Sequence, residues 1–204
     1  MSHCYAWPVD PREKTTYATL RRVIFEMASE QPVASIKYVD VAVRAKVSRN
    51  TLYRWSRGPV ELLARMLDDD LDRIVQKNTH LPASSGDQTT VFDQPTRELL
   101  GYVASRATIY RNAMNPRLDS RLRDGLISQM ETFLCDRLTL HPEIAPHAQN
   151  EPPSEFALAV FVSYAASGAA GAIETWLSRG DPYDIGAAAE AIFASAAPWW
   201  LGRG

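Results

Sequence analysis

Cysteine is nearly missing from this sequence. Cys4 and Cys135 are the only two in 204 residues, and they form neither a metal-ligand spacing nor a disulfide framework. A reducing cytoplasm is the expected setting. No apolar run is expected to approach the ~18 residues of a membrane span, and Met1–Pro11 lacks the basic and apolar regions of a secretory signal, so no membrane partner is expected. There is no Gly-rich phosphate loop, no G-x-S-x-G elbow, no H-E-x-x-H and no plausible Cys/His pairing. Catalytic residues, cofactors and metals are therefore not expected. His80 and His141 lie near prolines with no second ligand at metal spacing. The run Asp68-Asp69-Asp70-x-Asp72 lacks the oxygen-ligand loop of a calcium site, and one helix does not bring consecutive aspartates onto one face. It reads as a solvated acidic face.

The net charge of −2 argues by itself against a nucleic-acid partner, but it is an average over two unlike parts. Residues 1–65 hold 11 Lys and Arg against 6 Asp and Glu, whereas the rest of the chain holds 11 against 18. Between Lys37 and Arg57, six basic residues stand against the single acid Asp40. A basic head on an acidic body directs one end toward phosphate and keeps the remainder away from it.

Period-two alternation is absent, and nearly every segment shows a helical period. The reading is all-α, with about nine helices. The first is expected to open at Asp10-Pro11-Arg12-Glu13, with Asp10 as N-cap, Pro11 at the first helical position and Glu13 reaching back to the cap. It should end near Gln31, before Pro32. Two short helices follow, about Tyr38–Ala45 and Arg49–Trp55, and a long amphipathic one from Pro59 to Lys77. After a loop over Leu81–Gln94, Leu99, Val103, Ala107, Tyr110 and Met114 mark one helix, and Leu122 to Leu138 mark the next. A loop over His141–Pro153 precedes a helix capped by Ser154 that runs to Ser178. A last helix covers about Tyr183–Trp200. These elements divide into a head over 10–58 and a body over 59–204.

The informative stretch runs from Val39 to Trp55. It reads as two short helices joined by a tight turn, around a small core of Val41, Ala42, Ala45, Val47 and Leu52. Ser48 is a strong N-cap for the second helix. The exposed face of that helix offers Arg49, Asn50, Thr51 and Arg54, side chains of the kinds that read base edges in a major groove.

Ala42, Ala45, Val47, Ser48, Thr51, Leu52 and Tyr53 resemble the TetR-family pattern I-A-x-x-A-G-V-S-x-x-T-L-Y, which ends in the recognition helix. Tyr53-Arg-Trp-Ser and Glu61-Leu-Leu look like that family's entry into its long fourth helix. Gly168-xx-Gly171-x-Ile173-xx-Trp176-Leu177 is similar to a pattern found near the C-terminus of such regulators. Three positions depart from the pattern: Lys46 replaces the usual turn glycine, Ser56 replaces a bulky apolar residue, and Pro59 replaces a phosphate-binding Lys or Arg.

The resemblance implies a DNA-binding transcriptional regulator, most often a repressor released by a small molecule. It places Tyr53 against the DNA backbone, although a core aromatic is the other reading. Trp55 suits packing and phosphate contact equally, and Lys37 is either a phosphate contact or a solvated lysine. The expected partner is double-stranded DNA with a near-palindromic operator, read by a homodimer. Small residues around Gly168, Gly171 and Ala172, with Trp176, Ala188 and Ile192, are the expected dimer face. Tyr102, Arg106, Tyr110, Phe133, Phe161 and Tyr164, together with Phe156, are expected to line a pocket for a small apolar effector. The competing readings are a helical protein-interaction module without DNA binding and a small helical enzyme. The basic excess of Lys37–Arg57 disfavours the first, and the missing catalytic motifs disfavour the second.

Overall fold

In a computed structural model, the described residues are 10–79, 92–142, 145, 153–180 and 183–196. Among them the regular structure is helical: α1 (Pro11–Glu30), α2 (Tyr38–Ala45), α3 (Arg49–Tyr53), α4 (Pro59–Thr79), α5 (Asp93–Ser105), α6 (Ala107–Asn112), α7 (Ser120–Leu140), α8 (Glu155–Arg179) and α9 (Ile185–Ser195). Cys4, His80, Trp199, Trp200, Asp181, Pro182 and most of the two expected loops lie outside the described residues.

The chain divides after Met66 into two compact units. In the first, Asp10 caps α1 by accepting from the Arg12 N–H at 2.8 Å, with Pro11 in the first turn. The buried stripe of α1 is Leu20, Val23, Ile24, Met27 and Ala28. A 3-10 turn over Val33–Ser35 leads into α2 and buries Val33. Glu13, expected to reach back to its own cap, accepts instead from Arg54 Nη2 at 3.1 Å.

In the second unit, α7 packs on α8, α5 on α9, and α6 and α9 both on α8. Phe92, Leu134, Leu138, Val162 and Ala166 form one buried core cluster there. The single helix expected through Leu99–Met114 is broken at Arg106, which leaves helical geometry and sends its N–H to the Val103 carbonyl. The side chain of Arg106 turns to Asp70, 3.1 Å away.

Two further expectations are corrected. The aspartate run of α4 is not a solvated face: Asp70 is 7% exposed. It accepts from Arg73 Nη1 at 2.7 Å, Arg106 Nη2 at 3.1 Å and Tyr102 Oη at 3.2 Å. With 3.6 residues per turn, Asp68 and Asp72 share one side of α4 and Asp70 lies on another, so the run is divided between faces and Asp70 is drawn inward. The second correction concerns apolar runs. Phe156 to Ile173 is an uncharged run of membrane-span length within α8, with mean hydropathy 1.7 in its best window and only 22% of that window buried. Its many Ala, Gly and Ser residues hide that length, because they are small without being charged.

Candidate nucleic-acid interface

The turn between α2 and α3 is built on a left-handed residue. Lys46 has φ 55° and ψ 40°, and its N–H closes α2 onto the Val43 carbonyl at 3.1 Å. A side chain at this position is strained relative to glycine. The Val47 N–H then reaches the Ala42 carbonyl at 3.0 Å, and the Ser48 hydroxyl caps α3 by accepting from the Thr51 N–H at 3.0 Å. Leu52 is buried, so α3 is fixed from beneath and capped at its start.

That geometry distributes the expected contact residues unequally. Ser48, Arg49, Asn50 and Arg54 are exposed, as is Lys37 at the N-cap of α2. Tyr53 is 59% exposed, and its ring is held edge-on against Tyr38 with centroids 5.3 Å apart. Thr51 is half-buried, its hydroxyl 2.9 Å from that of Ser48, so it serves the cap directly. Trp55 is half-buried between the Tyr17 ring at 5.6 Å and the Arg65 guanidinium at 5.1 Å. Its carbonyl also accepts from Arg65 Nη1 at 3.0 Å. Of the two readings of Trp55, the packing one describes its surroundings.

The six cations of the basic stretch fall into two groups. Arg44 binds Glu30 at 2.6 Å and Glu26 at 3.3 Å, clamping α2 to α1 and holding the Glu30 carboxyl below its ordinary pKa. Arg54 is paired with Glu13. Lys37, Lys46, Arg49 and Arg57 are exposed and make no ion pair among the described residues. Of these, Lys46 and Arg49 flank the N-terminal end of α3, which also carries the positive end of its helix dipole, whereas Lys37 stands at the N-cap of α2 and Arg57 beyond the C-cap of α3.

Sequence reasoning missed the residue that ties this unit together. The Tyr38 hydroxyl donates to the Leu52 and Ser56 carbonyls at 3.1 and 3.0 Å and lies 2.6 Å from Ser56 Oγ. Ser56 is buried, and its hydroxyl also reaches the Gly58 carbonyl at 3.1 Å. The departure at Ser56 was the available signal: a hydroxyl in an apolar position needs a partner, and Tyr38 is that partner.

In the second unit the expected pocket residues separate. Tyr102 and Arg106 join Asp70 in the polar cluster, with the guanidinium stacked 4.3 Å from the Tyr102 ring. Tyr110 is buried with its hydroxyl unpartnered, and burial raises the pKa of both tyrosines. Phe161 is half-buried, whereas Phe156 and Tyr164, expected inside, are 79% and 78% exposed. The cause is the register of α8: its inner stripe is Val162, Ala166, Ala170, Ile173 and Leu177, which turns Phe156 and Tyr164 outward. A cavity of about 70 Å³ does lie in this unit, with Leu71, Leu100, Leu126, Phe133 and Ile173 in its wall. Phe133 is the one expected pocket residue in that wall.

Of the expected dimer residues, Gly168 is exposed, and Gly171 and Ala172 are half-buried on the outer side of α8. A Cβ at Gly168 or Gly171 would meet nothing within 4 Å. Trp176 packs edge-on to Tyr183 at 5.1 Å within the same unit, and Ile192 lines the cavity. Ala188 is half-buried on α9.

No family model and no curated protein matches the sequence. Solved structures do match the fold. The dihydroxyacetone kinase operon activator DhaS superposes with a TM-score of 0.60 at 14% identity, over 88% of this chain and 94% of that one. A tetR-family transcriptional regulator from Streptomyces coelicolor gives 0.55 at 16% identity, over 93% and 92%. The R. erythropolis transcriptional repressor QsdR, from the TetR family, gives 0.53 at 19%, over 96% of both chains. The chain therefore has the all-α fold of solved TetR-family transcriptional regulators, with a helix-turn-helix in its first unit.

Proposed function

We propose that this chain is a sequence-specific DNA-binding transcriptional regulator rather than an enzyme. In this reading it acts in the cytoplasm as a homodimer on a near-palindromic operator. Residues 10–58 are the DNA-binding domain, and residues 59–204 the effector-binding and dimerisation domain. The observation that carries the reading is the setting of α3. The helix is capped by Ser48 and presents Arg49 and Asn50 outward, and Lys37, Lys46, Arg49 and Arg57 of the same basic stretch are exposed without an ion pair among the described residues. Lys37, Lys46, Arg57 and Tyr53 supply phosphate contacts that set affinity, while Arg49 and Asn50 read base edges. Repression needs only occupancy of the operator, which this surface supplies.

The dimer rests on α8. Phe156, Val160, Tyr164, Gly168, Gly171 and Thr175 recur every three or four residues on its outer side. Such an exposed stripe is a liability in a monomer, and its glycines permit close approach of a second helix. A membrane span would have to free the whole circumference of α8. Here Glu174 is tied inward by the Leu118 N–H at 3.2 Å and by Arg123 at 3.4 Å. An effector in the cavity releases the operator by favouring a spacing of the two heads that no longer fits successive major grooves. The helix α4 lines that cavity from Leu71 to Asn78 and begins at Pro59, just after the recognition helix.

Selection from random duplexes tests the reading. A dyad-symmetric motif should emerge, with half-sites about 34 Å or a multiple of it apart, and Asn50→Ala should alter the preferred sequence. Recovery of no enriched motif rejects it. Sedimentation at micromolar concentration should show a dimer that Gly168→Arg dissociates, and a monomeric wild type rejects the homodimer.

A further inference from the structure

The apolar stripe of α4 ends in an amide. Leu71, Ile74 and Val75 continue at helical spacing to Asn78, which lines the same cavity and is 1% exposed. Its Nδ2 donates to the Ile74 carbonyl at 2.8 Å and to Glu98 Oε2 at 3.0 Å. Both partners only accept. Glu98 is held ionised, its pKa lowered by hydrogen bonds from Lys77 and Asn78. The orientation of the amide is thereby fixed, because a half-turn would set its oxygen against two acceptors. Asn78 Oδ1 is left buried with no partner. Across the cavity wall, Gln129 of α7 also has a buried Oε1 with no partner. Buried polar atoms in native folds are nearly always satisfied, so two orphans in the wall of one cavity point to a ligand that supplies the missing donor.

We propose that this cavity selects a slender, neutral, largely apolar molecule that donates a hydrogen bond through a hydroxyl to Asn78 Oδ1, with Gln129 as a second polar contact. The proposal rests on the effector reading above and specifies its chemistry. A carboxylate brings no donor and places a second negative charge near Glu98 in an apolar enclosure. Ethers and ketones leave Asn78 Oδ1 unpaired, and a site built around a hydrogen bond strongly rejects analogues that lack it. The Thr96 hydroxyl in the wall can turn to donate or accept, so it does not reverse the preference. Shape favours a chain over a ring system. The cavity holds about 70 Å³, roughly half the ~150 Å³ that admits benzene, but it is partly open to solvent, so a chain can enter by its hydroxyl end with the remainder at the mouth. Along α4, however, Leu71 to Asn78 spans about 10 Å.

The test is calorimetric titration of the full-length protein with four probes of matched length: 1-heptanol, 2-heptanone, hexyl methyl ether and heptanoate. The alcohol should bind at least ten-fold more tightly than the ketone or ether, and heptanoate should not bind. Asn78→Leu should bring the alcohol-to-ether ratio close to one while retaining ether binding. Gln129→Leu provides a second variant with a smaller reduction in that ratio. Equal affinity of the wild type for alcohol, ketone and ether overturns the donor requirement but leaves the effector cavity standing. Failure of every probe to bind overturns both.

Discussion

Tyr38 Oη and Ser56 Oγ lie 2.6 Å apart, and this contact joins the start of α2 to the chain just beyond α3. The same phenol donates to the Leu52 and Ser56 carbonyls, so one side chain holds the C-terminal end of α3. It also buttresses the exposed Tyr53 ring. Tyr38→Phe removes the hydroxyl and keeps the ring. It should destabilise the protein by about 1–3 kcal/mol, because buried acceptors lose their donor. Operator affinity should fall without a change in the preferred sequence. Denaturant unfolding and a repeated selection experiment check the two parts; unchanged stability would remove Tyr38 from this role.

Lys46 offers the opposite case, a residue that costs stability where it stands. Its left-handed backbone favours glycine, and the side chain is exposed. Lys46→Gly should stabilise the fold by about 0.5–1 kcal/mol, since relief of left-handed strain outweighs the extra freedom of glycine in the unfolded chain. DNA binding should weaken modestly, with a shallower salt dependence from the lost cation. Chemical denaturation measures the first effect, and affinity against salt concentration measures the second.

Local signals carried much of the architecture into the sequence. Asp10-Pro11, Ser48 and Ser154 mark helix starts through caps that form as expected. Helical periodicity marks α1, α4, α7 and α8 because each buries a continuous stripe. What remained illegible is what depends on distant partners. The break at Arg106 reflects a guanidinium drawn to Asp70, 36 residues earlier. The outward face of α8 could not be told from its inward face, because Ala populates both and the outer face carries the apolar Phe156, Val160 and Tyr164. The cavity is expected among aromatics, yet the polar residues in its wall are Asn78, Thr96 and Gln129. An amide at the next apolar position after Leu71, Ile74 and Val75 was the sign to follow.

Glu13 and Arg54 suggest that the positive charge of the head is partly withheld. Arg54 follows α3 directly, yet its guanidinium is 3.1 Å from a carboxylate of α1, and both side chains are exposed. Such a pair is weak in water and gives way readily to a phosphate. Glu13→Gln should therefore tighten binding to all duplexes by a few-fold and steepen the slope of log affinity against log salt by up to about one unit. The preferred sequence should stay the same. Nitrocellulose or fluorescence binding over a salt series distinguishes the outcomes; an unchanged slope would mean that Arg54 reaches no phosphate even when released.

Asp68 sets a pH dependence on the second unit. Burial, and then the neighbouring Asp72 and Asp69 charges, push its carboxyl up to about 7. It is packed so closely under α7 that a Cβ at Gly125 would overlap the carboxylate. The unfolded chain ionises Asp68 near the ordinary aspartate value, about 4. Between about pH 4 and pH 7 the unfolded state has lost a proton that the folded state retains, so stability falls as pH rises through this window and then levels off. Asp68→Asn keeps the shape and removes the penalty. The variant should be more stable than the wild type by about 1–3 kcal/mol at pH 8, allowing for partial solvent screening. The advantage should shrink steadily as the pH is lowered toward 4. Urea unfolding of both proteins at pH 4.5, 6 and 8 provides the check, and a gain independent of pH would show that Asp68 is ionised throughout.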